Sequence, residues 1–248
     1  MELNNELQFA KEYLIKSYET DKNNSLRLIT LMNIFQDMAG THAYKMGVGI
    51  DYCIENQTAW VCSAYHIKIF NLPKMHEKVM VHTWPAVENK LSAIRDFVML
   101  NKAGDVLVVA SSQWVLLGLE KKRPLVMREA LPDYKIFQQR ALETDFPKID
   151  NVERIDFETK FVARFDDIDL NHHVNNAVYA LWASEGVSPD FRLSHSIEEL
   201  EISFRREALF GEKIFVRTEM HGETSIHSVI ARTDDRELAK CKIKWGKI

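Results

Sequence analysis

The amino-acid sequence predicts an α+β protein made of two copies of one unit, each a helix followed by an antiparallel meander. Three observations carry this. A stretch of helical periodicity precedes four alternating apolar runs, and the same order of elements returns in the second half. Local detail recurs as well: "MHEKVMVHTW" and "FGEKIFVRTE" place Glu-Lys before alternating apolar residues at the same point of each half.

In the first half, "LRLITLMNIFQDMAGTHAYKMGVG" repeats Leu28, Leu31, Met32, Phe35, Met38 and Ala39 at helical spacing, with Gly47 and Gly49 closing it. This predicts a long, largely buried helix. Strand-like runs follow at 59–70, 78–87, 91–101 and 106–117, punctuated by Asn71-Leu72-Pro73 and Ala103-Gly104-Asp105. Next, "EKKRPLVMREALPDYKIFQQRALETDFPKIDN" mixes charge, three prolines and poor periodicity, the pattern of a connection crossing a surface. The second half reads as a strand at 157–165, a shorter helix in "HVNNAVYALWASEGV", and strands at 198–206, 213–220, 225–233 and 237–245. The expected division is therefore 1–130, a linker at 131–152, and 153–248.

With 46% apolar and 27% charged residues, the 248-residue chain can bury substantial cores. Its net charge of -4 lacks the basic balance of a nucleic-acid binder. Cys53, Cys62 and Cys241 are odd in number, widely spaced and form no C-x-x-C pair. Neither a disulfide framework nor a zinc knuckle is expected, and a reducing compartment fits. The start, "MELNNELQFAKEYLIKSYET", has neither the basic end nor the apolar run of a signal peptide. No segment approaches the roughly 18 apolar residues of a membrane span. A cytoplasmic location is expected.

The stretch "RFDDIDLNHHVNNAVYALW" packs carboxylates, carboxamides and two histidines before an apolar run. Asp167, Asp169 and Asn171 match the first ligand positions of a calcium loop, but His172 replaces the sharp-turn Gly and Val178 the closing Glu. His172 and His173 are adjacent rather than a helical turn apart, and His66, His76 and His82 lack convergent partners in the sequence. No metal is expected. Helix capping requires one Asp or Asn. Here Asp169, Asn171, His173 and Asn175 alternate, and extended backbone would send all four side chains to one side, next to the free N–H groups of a helix start. That arrangement suits oxyanion chemistry but lacks a nucleophile: there is no G-x-S-x-G, and Ser184 lies in an Ala-rich stretch that reads as packing.

These residues carry a resemblance. "DIDLNHHVNNAVYALW" is similar to the D-x-D-x-N-x-H-V-N-N-x-x-Y-x-x-W signature of the acyl-acyl carrier protein thioesterases, the plant plastid enzymes and their bacterial relatives. "SLRLITLMNIFQDMAGTHAYKMG", "TAW", "VHTW", "RDFVMLNKAGDVLVVASSQWVLL" and "ISFRREALFGEKI" support it over nearly the whole chain. The resemblance implies a tandem double hotdog, each half a long helix wrapped by a curved antiparallel sheet. The first domain would supply the acyl pocket and the second the catalytic residues Asp169, Asn171, His173 and Glu207. Family members often carry Cys after that Glu, whereas this chain has Ala208, which cannot attack a carbonyl. The expected reaction is hydrolysis of fatty acyl-acyl carrier protein by water, with Glu207 as base and no cofactor.

Met32, Phe35 and Met38 are the candidate acyl-tunnel residues, and ordinary core packing explains them equally well. The expected partner is acidic acyl carrier protein, for which Lys121, Lys122, Arg123 and Arg128, or Arg205 and Arg206, are candidate contacts. Monomer and homodimer both fit, since a tandem pair carries two hotdogs in one chain. An acyl-coenzyme A thioesterase and a noncatalytic acyl-binding sensor are the alternatives.

Overall fold

A computed structural model of the chain describes residues 3 and 6–248. Residues 1, 2, 4 and 5, with which the expected first domain begins, lie outside the described residues. The chain divides into two units: one of Met1–Ser63 and Ile67–Asp145, the other of Ala64–His66 and Phe146–Ile248.

The first unit contains β1 (Phe9–Leu14), α1 (Leu28–Lys45), α2 (Ile50–Glu55), β2 (Thr58–Ile69), β3 (Lys78–Glu88), β4 (Ala93–Leu100), β5 (Val106–Gly118), β6 (Arg123–Pro124) and α3 (Met127–Ala130). Its sheet runs β1-β3-β4-β5-β2, with β6 paired to β5. The 18-residue α1 forms where the apolar stripe predicts it and buries Leu31, Met32, Ile34, Phe35, Met38, Ala39 and His42. Phe35 stacks on Phe97 of β4 with ring centroids 4.7 Å apart. β1 was not expected: it precedes the helix and pairs antiparallel with β3, Phe9 opposite Thr83.

β4 is buried at every position. The segment expected to cross a surface explains why. The Trp84 indole N–H donates to Gln139 O at 2.7 Å, and the Arg140 guanidinium and Ala141 N–H reach the buried Asp96 carboxylate at 2.9 and 2.7 Å. Leu142, itself buried, joins Trp84, Val98 and Leu100 in a core cluster with Phe137 against it. Part of the linker is thus core. Burial pushes the Asp96 carboxyl up, and bonds from Ser111, Arg140 and Ala141 oppose that shift.

The second unit repeats the plan with β7 (Phe157–Val162), α4 (Asn176–Ser184), α5 (Pro189–Ser194), β8 (His195–Phe204), β9 (Lys213–His221), β10 (Thr224–Ala231) and β11 (Glu237–Lys247). Its strand order is β8-β11-β10-β9-β7. At nine residues α4 is the shorter helix that the second half's sequence predicts, and seven of the nine are buried. Tyr179 packs edge-on to Trp182 and Phe204, and Trp182 stacks on Phe161. Among the described residues, no helix is long and apolar enough to cross a membrane.

Candidate active site

The candidate site is built from two short segments of the second unit. The first follows β7. A 3-10 turn, Phe165–Asp167, is closed by Asp167, whose carboxylate accepts from the Arg164 N–H at 2.8 Å and its guanidinium at 2.7 Å. A tight turn comes next: Asp169 N–H donates to His173 O at 2.9 Å and His172 N–H to Asp169 O at 3.0 Å. Asp169 Oδ1 accepts from Asn171 N–H at 2.8 Å, and His172 sits in the left-handed region at φ 64. Asn175 then caps α4, its side chain accepting from Ala177 N–H at 2.8 Å.

These bonds correct one expectation. Residues 169–173 are not extended, so alternation does not place Asp169, Asn171, His173 and Asn175 on one side. Asp169 is occupied within the loop and Asn175 at the helix. Nor are the N–H groups of the helix start all free, since Ala177 is capped and Val178 N–H bonds Asn175 O at 2.9 Å.

The second segment follows β8. Ala208 is fully buried; its carbonyl accepts from Val174 N–H at 3.0 Å and its N–H donates to the Tyr179 hydroxyl at 2.8 Å. Glu212 accepts from Leu209 N–H at 2.9 Å and is held by Arg236 at 2.6 Å. Gly211, at φ 81, lets the chain turn back to β9. So fixed, the two segments bring His173 Nε2 to 3.6 Å from Glu207 Oε1, both side chains open to solvent. Glu207 does not pair with Arg205, which bonds Glu237 at 3.0 Å instead.

The first unit contains the same framework. Lys16 N–H donates to Glu19 as Arg164 N–H does to Asp167, at 2.7 and 2.8 Å. Asp21 Oδ1 accepts from Asn23 N–H at 2.8 Å, and Asn24 stands at φ 59 where His172 stands at φ 64. Leu26 N–H donates to Pro73 O at 2.9 Å, as Val174 N–H does to Ala208 O at 3.0 Å. The bridges Thr20 to Leu26 and Ile168 to Val174 also match. Position by position, Ser25 stands for His173 and Leu72 for Glu207. Only the second unit pairs an imidazole with a carboxylate on this frame.

The Acyl-ACP thioesterase N-terminal domain model matches residues 6–134 and the Acyl-ACP thioesterase C-terminal domain model matches residues 151–247. The chain belongs to the acyl-ACP thioesterase family. Among relatives of the family, it is 24% identical over 244 residues to a chloroplastic oleoyl-acyl carrier protein thioesterase of Coriandrum sativum, covering 90% of this chain and 66% of that one. It is 26% identical over 215 residues to a chloroplastic palmitoyl-acyl carrier protein thioesterase of Cuphea hookeriana, covering 81% and 52%. The chain thus spans less than two thirds of the length of these plant relatives. An acyl-ACP thioesterase structure from Bacteroides thetaiotaomicron superposes with a TM-score of 0.87 at 22% identity, covering 96% of this chain and 98% of that one. One from Lactobacillus plantarum, an oleoyl thioesterase (putative), gives 0.86 at 22%, covering 97% and 96%. These likenesses bear on the fold, a tandem double hotdog of the α+β class.

Of the residues assigned from the family signature, His173 and Glu207 meet directly, Asp169 supports the loop that carries His173, and Asn171 is exposed within that loop. Met32, Phe35 and Met38 are buried on α1 in the first unit. Sequence reasoning missed Tyr179 and Arg236, which fix the segment that carries Glu207; both act through distant partners. It also missed the convergence on His66, whose Nε2 lies 2.6 Å from Glu199 Oε1. Glu201 completes a group with ligand atoms within 4.8 Å, which could hold a cation. The hydrogen bond to Glu199, and Lys242 at 3.7 Å from Glu201, give these groups partners within the protein. Cys53, Cys62 and Cys241 are all buried and outside any disulfide, and burial pushes the Cys241 thiol well up, away from thiolate chemistry.

Proposed function

We propose that this chain hydrolyses the thioester of fatty acyl-acyl carrier protein, releasing free fatty acid and ending chain elongation. The observation that carries the reading is the His173–Glu207 pair, 3.6 Å apart on a frame whose copy in the first unit has Ser25 and Leu72. Fold upkeep does not need these two side chains, because the same turns close without them. Family membership supplies the substrate class.

At that separation, a water can hydrogen-bond both His173 Nε2 and Glu207 Oε1. Glu207 takes its proton as the oxygen attacks the thioester carbonyl, and His173 orients water and substrate. The negative charge that develops on the carbonyl oxygen is met by Asn171 and by the Asn176 N–H at the start of α4. Asp169 holds the turn that carries His173. Collapse of the tetrahedral intermediate expels the carrier's thiolate, whose conjugate thiol has a pKa of about 8.5, so strong acid assistance is unnecessary. No protein thiol takes part, because Ala208 fills the position after the base. Met32, Phe35 and Met38 would line the acyl chain's tunnel, and the thioether side chains adapt readily to a flexible guest. A cytoplasmic setting is supported by three buried cysteines that form no disulfide among the described residues.

Turnover of matched acyl-carrier and acyl-coenzyme A thioesters tests this reading. The wild type should prefer the carrier-linked form, and folded Glu207→Gln and Asn171→Ala variants should lose 10²-fold or more in kcat. Near wild-type turnover in both variants would remove the site assignment, and preference for the coenzyme A ester would move the substrate class.

A further inference from the structure

Of the two segments that build the candidate site, the one bearing Glu207 is tied to a third. The turn after Glu207 closes on itself: Leu209 N–H donates to Glu212 Oε2 at 2.9 Å and Glu212 N–H to Leu209 O at 3.2 Å. Arg236, from the hairpin that joins β10 to β11, reaches this turn. Its Nη2 donates to both Glu212 oxygens, at 2.6 and 2.7 Å, and to the Glu207 carbonyl at 3.4 Å, while Nη1 donates to Asp234 at 2.9 Å.

The first unit shows what the fold alone requires. Its corresponding turn closes with the same two bonds, Lys74 N–H to Glu77 Oε2 at 3.0 Å and Glu77 N–H to Lys74 O at 3.1 Å. The hairpins correspond as well: Ala231 N–H donates to Arg236 O and Asn101 N–H to Asp105 O, both at 3.0 Å. Asp105 therefore stands where Arg236 stands, and it serves its own hairpin, accepting from Asn101 Nδ2 at 2.8 Å. Among the described residues no cation pairs with Glu77, whose neighbours Lys74 and Lys78 bond Ser25 and Glu12 instead. The turn folds without a guanidinium. The link from hairpin to turn belongs to the unit that has the imidazole and the carboxylate.

Charge and exposure define what the link does. Arg236 faces two carboxylates of its own unit, Glu212 and Asp234, so it has no charge to spare for an anionic ligand. The side chains of Arg236 and Glu212 are only 22% and 17% exposed, which limits screening of their attraction. Glu207 is the opposite case: its side chain is 65% exposed, and its one ion-pair partner among the described residues is His173. A carboxylate that open takes its direction from its backbone, and that backbone is held at Ala208 by Tyr179 and Val174 and at the Glu207 carbonyl by Arg236.

We infer that Arg236 is a positioning residue for the reaction: from the β10–β11 hairpin it fixes the Glu207 backbone, so that the carboxylate and His173 stay one water apart. The inference rests on the proposed function for the role of Glu207. Arg236 acts through Glu207 and not on the substrate.

A double-mutant cycle tests this, with Arg236→Gln made in the wild type and in Glu207→Gln. In the wild type it should lower kcat about tenfold or more and leave KM within about twofold, because the base is displaced and the substrate is not. In the Glu207→Gln background the same change should cost less than about twofold, since the carboxylate it positions is gone. Arg236→Lys keeps a cation for Glu212 but cannot span to Asp234 with a second nitrogen, so its kcat should fall between wild type and Arg236→Gln. Thermal melting reports folding, and the lysine variant carries the cycle where the glutamine variant unfolds. The His173 imidazole signal in NMR spectra gives a readout free of turnover: in Arg236→Gln it should move toward its position in Glu207→Gln. Wild-type kcat in Arg236→Gln beside an inactive Glu207→Gln, an equal loss in both backgrounds, or an unmoved His173 signal overturns the inference and leaves Glu207 as base. Full turnover by Glu207→Gln sinks the base assignment instead, and a moved imidazole signal would then keep Arg236 as the residue that sets the geometry of the pair.

Discussion

Asp21 and Asp169 make the same bond: in each unit the carboxylate Oδ1 accepts from the backbone N–H two residues on, at 2.8 Å. The first unit keeps this bond with no imidazole or carboxylate pair beside it, so the shared task of the two aspartates is to close the turn. An amide oxygen can accept the same bond. Asp169→Asn should therefore retain kcat within about threefold, while Asp169→Ala, which frees the turn carrying His173, should lose about 10–100-fold. Steady-state turnover on acyl-carrier substrate checks this. Equal loss in the two variants would mean that the negative charge of Asp169 itself is used.

Ala208 separates a water mechanism from a thiol mechanism. It is fully buried, with its N–H donating to Tyr179 and its carbonyl accepting from Val174. An added sulfur would face packed atoms rather than the site, so Ala208→Cys should leave kcat within about twofold and cost about 1–3 kcal/mol of stability. Iodoacetamide should not inhibit the folded variant more than the wild type. A rate gain that alkylation abolishes would instead put a thiol in the reaction.

How much of this was written in the sequence depended on whether the signal was local. The α1 stripe and the strands after each helix were legible because burial on one face imposes a period. β1 was not, since Phe9–Leu14 is a mostly exposed strand whose state is set by pairing with β3, far along the chain. Phe137 and Leu142 gave no period because they pack as single anchors. In the site, the clustering of polar residue types pointed to His173, but Glu207 was reached only through the family signature. Alternation misled about the backbone, because Asp-x-Asn repeats can reflect side-chain-closed turns as readily as an extended edge. The duplicated frame escaped notice because between 16–27 and 164–175 the only identities are Asp21 with Asp169 and Asn23 with Asn171.

Tyr179 is the link that sequence patterns could not supply. Its hydroxyl accepts the Ala208 N–H at 2.8 Å from within the core, and burial pushes its pKa up to about 12. Tyr179→Phe keeps the ring packing against Trp182 and Phe204 and leaves that N–H unpaired. The expected cost is about 1–3 kcal/mol, with a lower kcat because the segment carrying Glu207 loosens. Urea denaturation measures the first and turnover the second. Wild-type values for both would show that the hydroxyl neither holds the turn nor stabilises the core.

Acid should weaken the second unit through His227. The imidazole is fully buried; Nδ1 lies 2.8 Å from Thr218 Oγ1 and Nε2 2.7 Å from Ser225 Oγ, which also receives the Trp245 N–H at 2.8 Å. With Ser225 donating to Nε2 and Nδ1–H donating to Thr218, the neutral ring has a partner at both nitrogens, and a second proton would meet the serine's own. Burial accordingly lowers the His227 pKa to about 3 from the ordinary 6.5. The unfolded chain binds that proton first, so stability is unaffected above about pH 6.5 and falls as pH drops toward the folded pKa. The loss should reach about 3 kcal/mol by pH 4. His42 in the first unit, also lowered to about 3 by burial and by Arg95 and Lys45, adds a slope of the same sign. Melting temperature followed from pH 7.5 to pH 4 should decline for the wild type and decline less for His227→Gln, from a lower starting point at neutral pH. Identical slopes in the two proteins would mean that His227 is not the group that takes up the proton on unfolding.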